Sequence, residues 1–243
     1  HLPRYGLANY LKPTPDTPPT NDEAEVMDNL SRAGKRLIGF CRTNLFKRLE
    51  SSGHSFLLSV RRHILRNYIY LHALEKGLPL PIGTQDAGLF DTRAEDHDSD
   101  SPLFGADEAA AATPSEITAK TLADFAKAGA AGYKTLHSDH VSNFDWLRPD
   151  VFIDDLAEHL KQDAKRLSSI LEIAGKWQPD QDHKLAELHK LLAKKHPGQK
   201  VIVFSQFADT VSYLADQLQA RGLKQMAGVT GDCQSVAAVG TRV

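Results

Sequence analysis

The sequence predicts a mainly helical chain of 243 residues that ends in a partial α/β unit. In outline it is a set of helical hairpins followed by an incomplete parallel sheet. Three observations predict this. Two long stretches before residue 80 carry apolar residues at helical spacing and meet at the punctuating Ser51-Ser52-Gly53, the pattern of an αα-hairpin. Further helical patterns follow from 117 onward. Near the C-terminus, Val201, Ile202, Val203 and Phe204 form a short apolar run rich in β-branched residues. A polar Ser205-Gln206 turn then leads into a segment with Val211, Leu214, Leu218 and Leu223 spaced for one helix face. A continuous apolar run opening through a polar loop into a helix is the unit of a parallel sheet buried on both faces.

Each element follows from local chemistry. Residues 1–20 are broken by Pro13, Pro15, Pro18 and Pro19 and read as an extended tether. Residues 21–80 form the hairpin. Its first helix begins after Asn21 with Asp22, Glu23 and Glu25 in the first turn, where the helix dipole favours acids, and runs to about Ser51. Leu30, Leu37, Cys41, Leu45 and Leu49 make its stripe, with Gly34 as a candidate break. The second helix carries Phe56, Val60, Ile64 and Leu71, flanked by Leu57 and Tyr68, and ends at Gly77 and Pro79.

Residues 81–114 shift in composition. Asp86, Asp91, Glu95, Asp96, Asp98, Asp100, Asp107 and Glu108 face only Arg93, which predicts an acidic flexible loop. A helical region spans 115–178, with helices over 117–133 and 149–175, the second patterned by Leu156, Leu160, Leu167 and Leu171. The final unit, 179–243, opens with a helix capped by Asp182 and carrying Leu185, Leu188 and Leu192. His196-Pro197-Gly198 closes that helix before the predicted strand at 201–204, and a neighbouring strand is predicted at 226–229.

Composition bounds the function without naming it. The chain is 41% hydrophobic and 25% charged with a formal net charge of −2, ordinary values that carry no global nucleic-acid signature. Cys41 and Cys233 lie far apart, so reduced thiols in a cytoplasmic protein are the default. No run reaches the roughly 18 apolar residues of a membrane span. The chain has eleven histidines. His137 and His140 are three apart and His183 and His189 share a helix, but no cysteine or carboxylate group completes a metal set. Ser205 stands outside any G-x-S-x-G elbow, and no residue is assigned a catalytic role.

The wording of two segments is more specific. The stretch KVIVFSQFADTVSYLADQL followed by GLKQMAGVTGD resembles the start of the second RecA-like lobe of superfamily 2 helicases of the Swi/Snf type. The stretch RTNLFKRLESS, from Arg42 to Ser52, resembles a helix found between the two lobes in bacterial members, and DHKLAELHKLLAKKHPGQKV resembles the entry into the second lobe. The resemblance covers residues 3–80 and 146–232. It implies an incomplete RecA-like sheet and a role in an ATP-dependent DNA helicase or translocase.

The resemblance also implies parts that this sequence lacks. Such a motor binds ATP and Mg²⁺ with a phosphate loop and an acidic pair on its first lobe. No G-x-x-x-x-G-K-[ST] occurs here, and Asp154-Asp155 reads as a helix start just after Pro149. After Asp232 the chain departs from the family pattern, so Arg242 takes no role, and the chain is expected to be a piece of a longer protein. No cofactor is assigned to it; ATP and Mg²⁺ belong to the parent protein, and this piece alone is expected not to hydrolyse ATP. The implied partners are the backbone of DNA and the missing first lobe.

Two groups of residues are candidates for phosphate contact. At the strand ends, the resemblance points to Ser205, Gln206, Thr230 and Gly231, with Gly231 allowing close approach of backbone amides. On the hairpin, the basic residues from Arg32 to Lys76 are opposed only by Glu50 and Glu75, and Lys47, Arg48, Arg62 and Arg66 are the best-placed candidates. The alternative is a non-enzymatic helical adaptor whose basic face meets a protein partner or the acidic loop.

Overall fold

The computed structural model describes residues 2–83, 121–139 and 141–230, without the side chains of 33–37 and 143. It is mainly helical. Helix α1, Asn21–Ser51, starts at a capping box. Thr20 Oγ1 accepts from the Glu23 amide while the Glu23 carboxylate accepts from the Thr20 amide, which satisfies two amides that the helix cannot. The helix runs unbroken through Gly34. Ser52 ends α1 and caps α2, Gly53–Lys76, its hydroxyl accepting from the Ser55 amide at 3.4 Å. One non-helical residue therefore makes the hairpin turn where the sequence placed it. Gly77, at φ 64°, ends α2.

Helix α2 is the centre of the molecule. It packs against α1, α3 (Leu122–Asp139), α4 (Asp155–Ala174) and α6 (Ala208–Ala220). The predicted apolar stripe is buried, with Val60, Ile64 and Leu71 in the core. So is much of the face read as polar, including Ser55, Ser59, Arg62, His63, Arg66 and Asn67. Helix α3 begins at a reciprocal Thr121–Asp124 cap and continues past the predicted end at 133, because Leu136 is also a core residue. Helix α4 starts at Asp155 rather than at the predicted 149, because Pro149–Val151 forms a separate 3₁₀ turn and Phe152 is extended; Asp155 and Glu158 stand in its first turn.

A two-stranded antiparallel sheet joins β1, Leu80–Gly83, to β2, Phe144–Leu147, with Leu80 opposite Leu147 and Ile82 opposite Asp145. It is the one sheet among the described residues, and it is neither parallel nor predicted. The strands expected at 201–204 and 226–229 are not formed. Ile202 is 77% exposed and Phe204 90% exposed, so the run has the composition of a doubly covered strand but no strand to pair with among the described residues.

Residues 3–10 are also not a simple tether. They form a 3₁₀ helix, Pro3–Tyr10, that inserts Leu7 and Tyr10 into the main core. The Lys12 amide donates to the Val151 carbonyl and the Ile153 amide to the Tyr10 carbonyl, both at 2.8 Å. The prolines that suggested a tether all follow this anchor. Of the predicted acidic loop, the residues beyond Gly83 lie outside the described residues.

Three apolar clusters organise the chain. The largest joins the N-terminal segment, the second half of α2, both strands, α3 and α4. A second joins the first half of α2 with Phe125, Ala164 and Leu171. The third belongs to the C-terminal unit, where Leu185 of α5 (His183–Lys190) packs on Tyr213 and Leu218 of α6, with Leu188, Leu192, Leu214 and Leu223 alongside. No described helix is long and apolar enough to cross a membrane.

Candidate functional site

The C-terminal end of α1, the first turns of α2 and the start of α6 meet in one polar junction. Asp209, in the first turn of α6, receives Nη1 of Arg62 on Oδ2 at 2.6 Å and Nη2 of Arg62 on Oδ1 at 2.9 Å. Arg48 Nη1 donates to the same Oδ2 at 2.9 Å. The side chains of Arg48, Arg62 and Asp209 are 1%, 8% and 10% exposed. Burial pushes the Asp209 carboxyl up, but the hydrogen bonds and charge of Arg62, with those of Arg48, outweigh it and hold the group below the usual carboxylate range. The Arg48 guanidinium also lies over the Phe207 ring, 4.8 Å from its centre.

Hydroxyls line the same contact. Thr210 Oγ1 is 2.9 Å from Ser55 Oγ and 3.1 Å from Ser51 Oγ, and Ser51 Oγ is 3.5 Å from Ser205 Oγ. Ser205 Oγ also accepts from the Phe207 amide at 3.3 Å, which shapes the turn into α6. Lys184 of α5 donates to the Glu50 carbonyl at the end of α1.

Beside this contact stands an aromatic stack. His54 lies parallel to Tyr213, 4.4 Å between ring centres at 13°, with Trp177 edge-on to both. The Tyr213 hydroxyl donates to Asp182 Oδ2 at 3.0 Å and accepts from Trp177 Nε1 at 3.1 Å. Burial raises its pKa, and Asp182 adds to the rise. Asp182 therefore both caps α5 and anchors α6. Neither ring nitrogen of His54 has a hydrogen-bond partner, and burial pushes its pKa down to about 4, so the imidazole is neutral at pH 7.

The structure therefore brings together Arg48, Arg62 and Ser205 from the predicted candidates. Arg48 and Arg62 face inward onto Asp209, and Arg66 is buried, 4% exposed, further along α2. Lys47 and Gln206 are exposed, while Ser205 and Thr230 are half-buried. Gly231 lies outside the described residues. Sequence reasoning missed Asp209, Thr210, Ser51 and Ser55 as site members, since an acid in a first helical turn and scattered hydroxyls each have an ordinary local explanation. The signal for Asp209 was the excess of basic residues on the hairpin, which implied an acidic counterpart somewhere.

Among the described residues no group of three or more His, Cys, Asp or Glu side chains is arranged to hold a metal ion. Compared with models of known protein families, with curated proteins and with solved structures, the chain matches none.

Proposed function

We propose that this chain supplies DNA-backbone contacts and inter-lobe structure to a cytoplasmic, bacterial, Swi/Snf-like ATP-dependent DNA translocase. One observation carries the reading. The two segments whose wording resembles that family, 42–52 and 200–210, are far apart in sequence yet meet at the Arg48–Asp209–Arg62 junction. A coincidence of wording gives no reason for the two to touch.

On this reading residues 200–230 are the opening of the RecA-like lobe, with 201–204 as a strand that requires neighbours beyond the described residues. ATP and Mg²⁺ do not fit the residues present, because the sequence has no phosphate loop and no acidic metal pair. The chain's own part is the contact with DNA. The exposed Gln206 amide and the Lys47 ammonium donate to phosphate oxygens, and the half-buried Ser205 and Thr230 hydroxyls add to them. Such contacts hold the backbone without reading the bases.

The test is Gln206→Ala binding to duplexes of different sequence. The reading requires a weakening of about 1 kcal/mol, the scale of one lost hydrogen bond, that is the same for every duplex. A loss confined to particular sequences sinks it. A second reading, a non-enzymatic helical adaptor, is favoured by the exposure of Phe46 at 63% and Leu49 at 46% near the same junction. It predicts no affinity for DNA at any salt concentration.

A further inference from the structure

The C-terminal unit has a small core of Leu185, Tyr213 and Leu218, joined to the α2 cluster by Trp177 and by the His54–Tyr213 stack. Its link to α4 passes through Gly175, whose φ of 61° makes a sharp exit from the helix. Where α6 meets α1 and α2, the contact joins an aromatic part, His54 on Tyr213, to a polar part: Arg48 and Arg62 on Asp209, and Ser51 and Ser55 on Thr210.

The polar part of this contact opens differently from the apolar part. A desolvated ion pair adds little net stability, because its Coulomb attraction is set against the water both charges gave up. Truncating one partner strands the other, whereas separating the two bodies returns water to both.

Opening would leave a distinctive surface on the hairpin. Two guanidiniums and the Ser51 and Ser55 hydroxyls converge there. Arginine forks and hydroxyls are the chemistry of phosphate recognition. In the closed state the Asp209 carboxylate already sits on Arg62 through two parallel hydrogen bonds at 2.6 and 2.9 Å, as a phosphate would.

We infer that Arg48, Arg62, Ser51 and Ser55 form a phosphate-group site which Asp209 occupies as an internal stand-in. Phosphate binding and docking of α6 therefore exclude one another. The inference rests on the DNA-backbone reading for the identity of the ligand, a phosphodiester; the site itself requires only the phosphate group.

Hydrogen exchange on the full chain tests it. Inorganic phosphate replaces chloride at constant ionic strength, and a short random-sequence duplex is added in a separate series. The expected result is faster exchange across Ala208–Ala220 with either ligand, while residues 57–71 of α2 stay protected. Release by phosphate with no binding of duplex supports the site and overturns the DNA-backbone reading. Duplex that binds without releasing α6 overturns the site and leaves that reading standing. No release by either ligand overturns the site.

Asp209→Asn gives an independent arm. With its helicity unchanged by circular dichroism, it should bind inorganic phosphate about tenfold more tightly than the parent, the order of one lost charge-assisted hydrogen bond in the competing state. Equal or weaker binding by the folded variant overturns the proposal.

Discussion

The His54 imidazole is stacked on Tyr213 and held away from water with neither nitrogen bonded. Burial lowers its pKa from 6.5 to about 4. Below pH 6.5 the unfolded chain takes up a proton that the folded chain refuses, so folding stability falls as pH drops from about 6.5 to about 4. The accumulated loss is on the order of 3 kcal/mol. His54→Phe keeps the stack and removes the proton site, so its urea-unfolding free energy should be flatter across that window. An unchanged slope in the variant would show that other groups set the acid sensitivity.

Asp163 behaves in the opposite sense. Burial raises its pKa despite the hydrogen bond from Asn67 Nδ2 at 3.0 Å, with Arg4 and Arg166 also drawing it down. A carboxyl whose pKa rises on folding is penalised when ionised, above its unfolded pKa, and the penalty fades as pH falls through its folded pKa. Asn67 Oδ1 has no donor. Asp163→Asn lets two amides bond reciprocally and should stabilise the fold by about 1 kcal/mol at pH 7, with the gain shrinking in acid. Chemical denaturation at the two pH values measures it, and a destabilised variant at pH 7 would contradict this account of the pair.

Helix α2 shows how far the elements were legible. Its ends and apolar stripe follow from Ser52, Gly77 and the spacing of Val60, Ile64 and Leu71. Its polar burial does not. The partners of Arg62 and Asn67 lie in α6 and α4, distant segments that no helical period connects to α2. The close approach of α3 to α2 was equally hidden in a single glycine. A Cβ at Gly129 would fall 2.8 Å from the Tyr68 carbonyl carbon and 2.9 Å from its oxygen, both backbone atoms that cannot swing aside. Gly129→Ala should therefore destabilise by about 1–3 kcal/mol by overpacking, despite alanine's higher helix propensity. Thermal unfolding decides the sign, and a stabilised variant would mean that the helices are free to separate.

At the scale of the whole molecule, the helical body was legible because its clusters are built by described residues of this chain. The expected parallel sheet is not formed among the described residues; the pattern of 201–204 has the composition of a doubly covered strand and none of its surroundings there. The candidate site was half legible: Arg48, Arg62 and Ser205 were identified as candidates, but Asp209, which joins the first two, was not. An exposed apolar run such as 201–204, with Ile202 and Phe204 in solvent, favours self-association. Ile202→Glu should raise solubility, followed by light scattering against concentration, while shifting unfolding by no more than about 0.5 kcal/mol. Unchanged scattering would locate association elsewhere.

The central claim is that the junction of the hairpin and the C-terminal unit belongs to a DNA-backbone-binding surface. A salt titration of binding to a random-sequence duplex tests it most directly. The account predicts affinity that falls linearly on a log–log plot, with a slope of about −1 for each phosphate contacted. No binding at low salt, or binding indifferent to salt, would contradict it.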